Sequence, residues 1–114
     1  MENHEWIESI GISIMTTNAR GEIIGMNAYA AETFQSDGGR DLLGKNLADC
    51  HSQRSNEIIE RLMREGAANI YTIQKKGKKK MICQVPWFKE DGVVGGLVEL
   101  SIPLPEEMPH FNRD

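Results

Sequence analysis

The residues of this chain best suited to chemistry stand together near its middle, at Asp49, Cys50 and His51. A thiol beside an imidazole is typical of either an activated nucleophile or a pair of metal ligands. Adjacent side chains diverge on a helix or a strand, however, and no second group of cysteines and histidines follows at a metal-ligand spacing. The pattern therefore favours a structural role for Cys50 and His51, and it predicts no metal site.

A hydrolytic site built from a serine and a histidine is also disfavoured. The chain has three histidines, and two of them, His4 and His110, fall in predicted terminal segments. Ser55, close to His51, is better explained as the cap of a helix. No Gly-rich phosphate loop and no zinc-protease helix occurs in the sequence. We predict that the chain is not an enzyme.

Length and charge indicate one acidic domain. The chain has 114 residues, a net charge of −4 and a pI near 5.4, so nucleic acid is not an expected partner. The one basic run, 75–80, is typical of a solvated turn, with a surface for an anionic partner as the alternative. Acidic residues interrupt the first ten positions, which predicts no signal peptide, and no apolar run is long enough to span a bilayer. We expect a cytoplasmic protein whose Cys50 and Cys83 remain thiols.

The first part of the sequence predicts a β-hairpin followed by a helix. Isoleucines alternate with small residues over 10–14, which is the period of a half-buried strand. A turn over 17–21 leads to a second short strand over 23–26. Asn27 is suited to cap a helix over 28–34, because its side chain can accept a hydrogen bond from a first-turn amide.

The rest of the sequence predicts one further helix and three strands. The helix over 55–66 carries one apolar stripe. Residue types that suit a pleated surface fill 69–75, apolar residues alternate over 81–87, and Asp91-Gly92 is a strong hairpin signal before the last strand over 94–102. Two strands, a helical middle and three strands predict an α+β fold: a five-stranded antiparallel sheet with helices packed on one face.

In this order the segments resemble a PAS domain. The string 18–27 resembles the first hairpin of that family, and 28–34 resembles the helix after it. Gly44-Lys45-Asn46-Leu47 resembles the G-x-x-L stretch of its central helical segment, and 91–96 resembles the hairpin that leads into its long final strand. The resemblance covers residues 9 to 103.

The resemblance implies a domain organisation and a role. Residues 1–9 are expected to form a helical lead-in, 10–103 the PAS domain and 104–114 an extended tail. PAS domains are sensory modules that hold a small molecule or cofactor between sheet and helices and signal through dimer or partner contacts. We therefore expect signal transduction by a homodimer or through a separate signalling partner; the alternative is a ligand-free dimerisation module. Trp6, Ile7 and the outer face of the last strand are the expected dimer contact.

The resemblance leaves the ligand open. Light-sensing members carry a reactive cysteine in an Asn-Cys-Arg-Phe-Leu motif, and the nearest match here, 49–54, lacks the Asn, Phe and Leu, so flavin is not expected. Oxygen-sensing members use a histidine of the central helix to bind heme iron. The predicted helix has none, and His51 just ahead of it is the candidate ligand for heme, with Met63 or Met81 as a second one; a hydrogen-bonded loop residue is the alternative.

The expected cavity wall combines apolar residues of the helices and the later strands. Tyr71 or Gln84 would supply an orienting hydrogen bond, and Met63 and Met81 would adapt to the shape of a ligand. The alternative is that the same residues fill an ordinary core. The candidates are Phe34, Leu43, Leu47, His51, Ile59, Leu62, Met63, Tyr71, Cys83, Val85 and Val98.

Overall fold

A five-stranded antiparallel sheet is the frame of the computed structural model, which describes residues 4–50 and 52–114. The strands lie side by side in the order β2-β1-β5-β4-β3, so β5, the last in the chain, is the central one. They are β1 (Ser13–Thr17), β2 (Ile23–Met26), β3 (Asn69–Lys75), β4 (Lys78–Phe88) and β5 (Val94–Pro103).

Three helices and three short 3₁₀ segments complete the fold. They are α1 (Glu5–Ser9), α2 (Ala28–Thr33), the 3₁₀ segments Gln35–Asp37, Gly39–Leu42 and Leu47–Cys50, and α3 (Gln53–Glu65). Residues of α2, α3 and the 3₁₀ segments share one buried cluster with the sheet, so these elements pack on one face of it. The expected α+β fold is confirmed. Within the described residues, no helix combines the length and the apolar character needed to cross a bilayer.

The apolar core lies between this face of the sheet and the helices. Phe34 and Met63 pack at its margin. Its buried members are Met15, Ile23, Met26, Ala30, Leu42, Leu47, Ile59 and Leu97.

Asn27 caps α2, as predicted, and also joins two further segments to it. Its Oδ1 accepts hydrogen bonds from the amides of Ala30, at 2.9 Å, and Ile14, at 3.1 Å. Its Nδ2 donates to the carbonyl oxygens of Ile7, at 2.9 Å, and Ile12, at 2.8 Å. One buried amide therefore joins α1, β1 and α2, and its four hydrogen bonds satisfy backbone groups that are buried or partly buried.

The helix α3 begins earlier than the sequence predicts. Ser52 rather than Ser55 is its N-cap, because the Ser52 hydroxyl accepts a hydrogen bond from the Ser55 amide at 3.2 Å. The helix ends at Gly66, as predicted, with the glycine in the left-handed conformation at φ 65°. Ile59 and Leu62 are its buried residues.

The strand β1 lies further along the chain than the isoleucine pattern predicts. The strand begins at Ser13, and it buries Ser13, Met15 and Thr17 rather than the isoleucines of 10–14. Because successive side chains of a strand point to opposite faces, Ile14 lies on the side away from the helices. The sequence predicted a strand over 10–14, and only the last two of these positions, Ser13 and Ile14, belong to β1.

The register of the strands shows which residues of the other strands lie on each of these two faces of the sheet. Met15, which belongs to the helix-facing core, lies opposite Glu99 of β5, and Glu99 in turn lies opposite Gln84 of β4. On the other side, which we call the outer face, Ile14 and Cys83 both lie opposite Leu100, and Ile70 lies opposite Cys83. The helix-facing side, which we call the inner face, is therefore the more polar of the two.

The start of β5 approaches β1 very closely. Trp87 lies against Gly95 and Gly96, and its Nε1 donates a hydrogen bond to the Thr17 carbonyl oxygen at 2.9 Å. The Leu97 amide donates to the Thr17 hydroxyl at 3.1 Å. Gly95 and Gly96 therefore allow close backbone contact between β5 and β1.

Candidate functional site

A row of three hydrogen-bonding side chains crosses the inner face from β3 to β5. Asn69 Nδ2 donates to Gln84 Oε1 at 2.9 Å, and Gln84 Nε2 donates to Glu99 Oε2 at 3.2 Å. We call Asn69, Gln84 and Glu99 the polar ladder. The Gln84 amide uses its oxygen as acceptor on the β3 side and its nitrogen as donor on the β5 side, so the ladder ends on a carboxylate in the central strand.

An inner cleft of about 270 Å³ lies between this part of the sheet and the segment that follows α2. The segment contributes Phe34, Ser36 and Asp37, and Thr33, the last residue of α2, lies beside them. The strands contribute Tyr71, Ile73, Lys75, Lys80, Ile82, Glu99 and Ser101. This volume is close to the lower limit for small-molecule sites, and the mixture of apolar walls with a few polar groups is typical of them.

The register orders these groups along the cleft. Glu99 marks one end. One rung further along the strands, Ser101 lies opposite Ile82, and Ile82 lies opposite Tyr71. At the next rung Lys80 lies opposite Ile73. Successive rungs of one face are about 6.7 Å apart, so the cleft passes from a carboxylate, through a mixed middle, to an ammonium group.

The environment of Tyr71 keeps its phenol protonated. Burial and, second, the negative charge of Glu99 raise the pKa of Tyr71 above its ordinary value of 10.0. A neutral phenol both donates and accepts hydrogen bonds, so Tyr71 can meet either kind of polar ligand atom. Its side chain is 41% exposed, which places it at the opening of the cleft.

The predicted cavity residues do not all meet in one place. Phe34 and Tyr71 line the inner cleft. Leu47, Ile59 and Met63 line a second cavity of about 320 Å³, between the β1–β2 turn and α3. These candidates therefore lie along two separate openings and not in the single cavity predicted from the sequence.

Three predicted cavity residues lie on the other side of the sheet. Val85 lies opposite Val98, and Cys83 lies opposite Leu100, which is one residue from the inward-facing Glu99. These side chains point away from the helices because neighbouring residues of a strand face opposite sides. They belong to the outer face and cannot line a cavity between sheet and helices.

Of the remaining candidates, two lie in the described part of the chain. Leu62 is buried, whereas Leu43 is 42% exposed. His51 lies outside the described residues, so the assignment of His51 as a heme ligand stays a prediction. In the described part of the chain, no group of three His, Cys, Asp or Glu side chains is placed to hold a metal ion.

The two polar residues of β5 that matter most for the cleft were not predicted from the sequence. Glu99 and Ser101 alternate with Val98, Leu100 and Ile102. Val98, a member of the apolar set, was the residue of this strand predicted to line the cavity. The available signal in the sequence was a carboxylate within an apolar strand. Such a strand usually lies at the centre of a sheet, where burying a charge without a partner costs free energy.

Comparison with known proteins places this fold. No family model matches the sequence, and no curated protein sequence matches it. A C-terminal domain from Streptococcus mutans is similar in structure, with a TM-score of 0.70 and 17% identity over 85% of this chain and 78% of that chain. A PAS domain from Colwellia psychrerythraea has a TM-score of 0.66 and 13% identity, over 90% of this chain and 94% of its own.

The Aer2 receptor from Vibrio cholerae is similar too, with a TM-score of 0.63 and 14% identity over 87% of this chain and 99% of that one. These likenesses lie far below the identity at which sequence alone would relate the proteins, and they agree with the strand order and the helical face described above. The resemblance inferred from the sequence is confirmed in structure: the chain has the PAS fold.

Proposed function

We propose that the chain is a cytoplasmic sensory domain that binds a small molecule in the inner cleft and signals through dimer or partner contacts of the outer face. It acts by binding rather than by catalysis. The observation that carries the proposal is the polar ladder, which ends on Glu99 inside the cleft.

The polarity of the inner face supports a binding role. A face that only fills a core is apolar, because an ionised group taken out of water costs free energy unless it is well paired. Here Glu99 occupies the central strand and faces the helices, and Ser101 lies beside it with 6% of its surface exposed. The Aer2 receptor is described as a dual PAS-heme oxygen sensor, and its likeness in fold supports a sensory role here.

A bulky side chain in the floor of the cleft should abolish ligand binding. We expect at least one compound from a set of amino acids, short carboxylates, amines and nucleobases to raise the melting temperature of the wild type by about 4 °C or more. Ile82→Trp should lose this increase, because the indole fills the space between Tyr71 and Ser101. Differential scanning fluorimetry measures both.

The matched control is Val93→Trp, which adds the same side chain at a position 57% exposed before β5. It should respond to the compound as the wild type does. Equal stabilisation of Ile82→Trp would show that the inner cleft is not the binding site, and no response from the wild type to any compound would remove the ligand from the proposal.

The outer face supports contact with a second copy of the chain. Ile14, Leu100, Cys83 and Ile70 form an uncharged row across four strands. Ile70 is 58% exposed, and Trp6 of α1 is 66% exposed. An uncharged apolar face is complementary to its own copy in a two-fold dimer, whereas a charged partner would gain nothing from it. If the cleft proves to bind nothing, this surface favours the ligand-free dimerisation module.

Charges placed on this face should separate the dimer. We expect the wild type to have twice the mass of one chain in light scattering, and the Trp6→Asp, Ile70→Glu double variant to have the mass of a monomer, because two desolvated carboxylates would face an apolar surface. Val93→Glu is the control for an added exposed charge and should remain dimeric. A double variant with unaltered mass would exclude this face as the contact.

A further inference from the structure

We infer that the inner cleft binds a small zwitterion, with its ammonium group at the Glu99 end and its carboxylate at the Lys80 end. The inference rests on the proposed function and adds the class of ligand to it. It depends on the order of charges along the cleft, on the apolar surface between them and on the size of the space.

The Glu99 end is suited to a cation. A carboxylate accepts hydrogen bonds at about four lone-pair positions, so Glu99 can bind an ammonium group as well as Gln84 Nε2. The ladder fixes its orientation before any ligand arrives, which lowers the entropy lost on binding. Asp37, on the opposite wall, is the second carboxylate of the cleft. A purely anionic ligand would therefore face two like charges.

The other end is suited to an anion. Lys75 and Lys80 both line the cleft. In the described part of the chain, Arg20 and Arg40 form ion pairs, whereas the structure shows none for Lys75 or Lys80. A purely cationic ligand would lie close to two ammonium groups at this end. A ligand with a charge of each sign satisfies both ends and keeps the cleft near neutrality.

The distance between the two ends sets the length of the ligand. Lys80 lies opposite Pro103, four residues along β5 from Glu99, which corresponds to about 13 Å between the two backbone positions. Because side chains of a strand stand roughly perpendicular to the sheet, the charged groups of Glu99 and Lys80 are separated by a similar distance, and one hydrogen bond of about 2.8 Å at each end leaves about 7 Å for the ligand. Phe34, Ile73 and Ile82 offer apolar contact in between. A short methylene chain carrying an amine and a carboxylate matches this arrangement.

The test uses 6-aminohexanoate and three probes of the same length that lack one or both charges: hexanoate, hexylamine and hexanamide. By isothermal titration calorimetry, we expect 6-aminohexanoate to bind the wild type at least about tenfold more tightly than each of the others. Glu99→Gln and Lys80→Met should each weaken its binding by about tenfold or more, because each removes one charge-assisted hydrogen bond. Glu32→Gln and Lys89→Met, exposed changes outside the cleft lining, should leave it unchanged.

Glu99→Gln and Lys80→Met are independent tests. Glu99→Gln changes a member of the polar ladder, whereas Lys80→Met leaves the ladder intact. If hexanamide or hexanoate binds tightly and Glu99→Gln does not affect that binding, the inference that the ligand is a zwitterion is overturned. The cleft is then still a binding site. The inference also fails if none of the four probes binds while another compound stabilises the wild type and not Ile82→Trp. Failure of all compounds in both experiments would remove the proposed function as well.

Discussion

Replacing Gly96 by alanine is expected to lower the free energy of unfolding by about 3 to 5 kcal/mol, a large part of the stability of a domain of this size. A β-carbon on Gly96 would overlap the Thr17 carbonyl oxygen and would stand 2.8 Å from Trp87 Nε1. The Thr17 oxygen accepts the Trp87 hydrogen bond, so the methyl group cannot be accommodated without moving β1 or the indole. Either movement separates strands at the centre of the sheet.

Urea denaturation followed by circular dichroism measures this loss, and Gly11→Ala is its control. A β-carbon on Gly11 would meet no atom within 4 Å, and the backbone there does not require glycine. That variant should stay within about 0.5 kcal/mol of the wild type. A Gly96→Ala variant as stable as Gly11→Ala would mean that β5 does not approach β1 as closely as described.

Replacing Asn27 by alanine is expected to cost about 3 to 4 kcal/mol. The change removes the cap of α2, worth about 1 kcal/mol, and leaves buried backbone groups of Ile12 and Ile14 without their side-chain partner. It also frees the carbonyl of Ile7, so α1 should detach more readily from the domain.

Ser52→Ala is the matched comparison, because the Ser52 hydroxyl caps α3 through exposed hydrogen bonds to Ser55 alone, accepting one from its amide and donating one to its Oγ. It should cost about 1 kcal/mol, less than half the loss in Asn27→Ala. Hydrogen exchange should show faster exchange at the Ile7 and Glu8 amides, which bond to His4, in Asn27→Ala alone. Equal costs for the two variants would indicate that Asn27 acts only as a helix cap.

Much of the fold could be predicted because its signals are local. Residue types over a few positions were enough to predict the bounds of β3, the cap at Asn27 and the end of α3 at Gly66. Each depends on a backbone conformation or a hydrogen bond within one turn or one strand. The order of these elements was then sufficient to indicate the fold.

The site could not be predicted in the same way because it depends on which side of the sheet faces the helices. A period of two divides a strand into two sets of residues but does not tell which set is inside. The apolar set, including Cys83, Val85 and Val98, was assigned to the cavity, whereas the structure turns it to the outer face. The polar ladder further requires the registers of β3, β4 and β5 together, and these are set by non-local pairing.

The most direct test of ligand binding in the inner cleft is nuclear magnetic resonance of the ¹⁵N-labelled protein, titrated with the compounds of the thermal experiment and with 6-aminohexanoate. We predict that the backbone amides of Tyr71, Ile82, Glu99 and Ser101 show the largest shift changes, and that Ile82→Trp abolishes them. Shift changes centred on the outer-face residues Ile70, Cys83 and Leu100, or a spectrum that no compound alters, would contradict binding in the inner cleft.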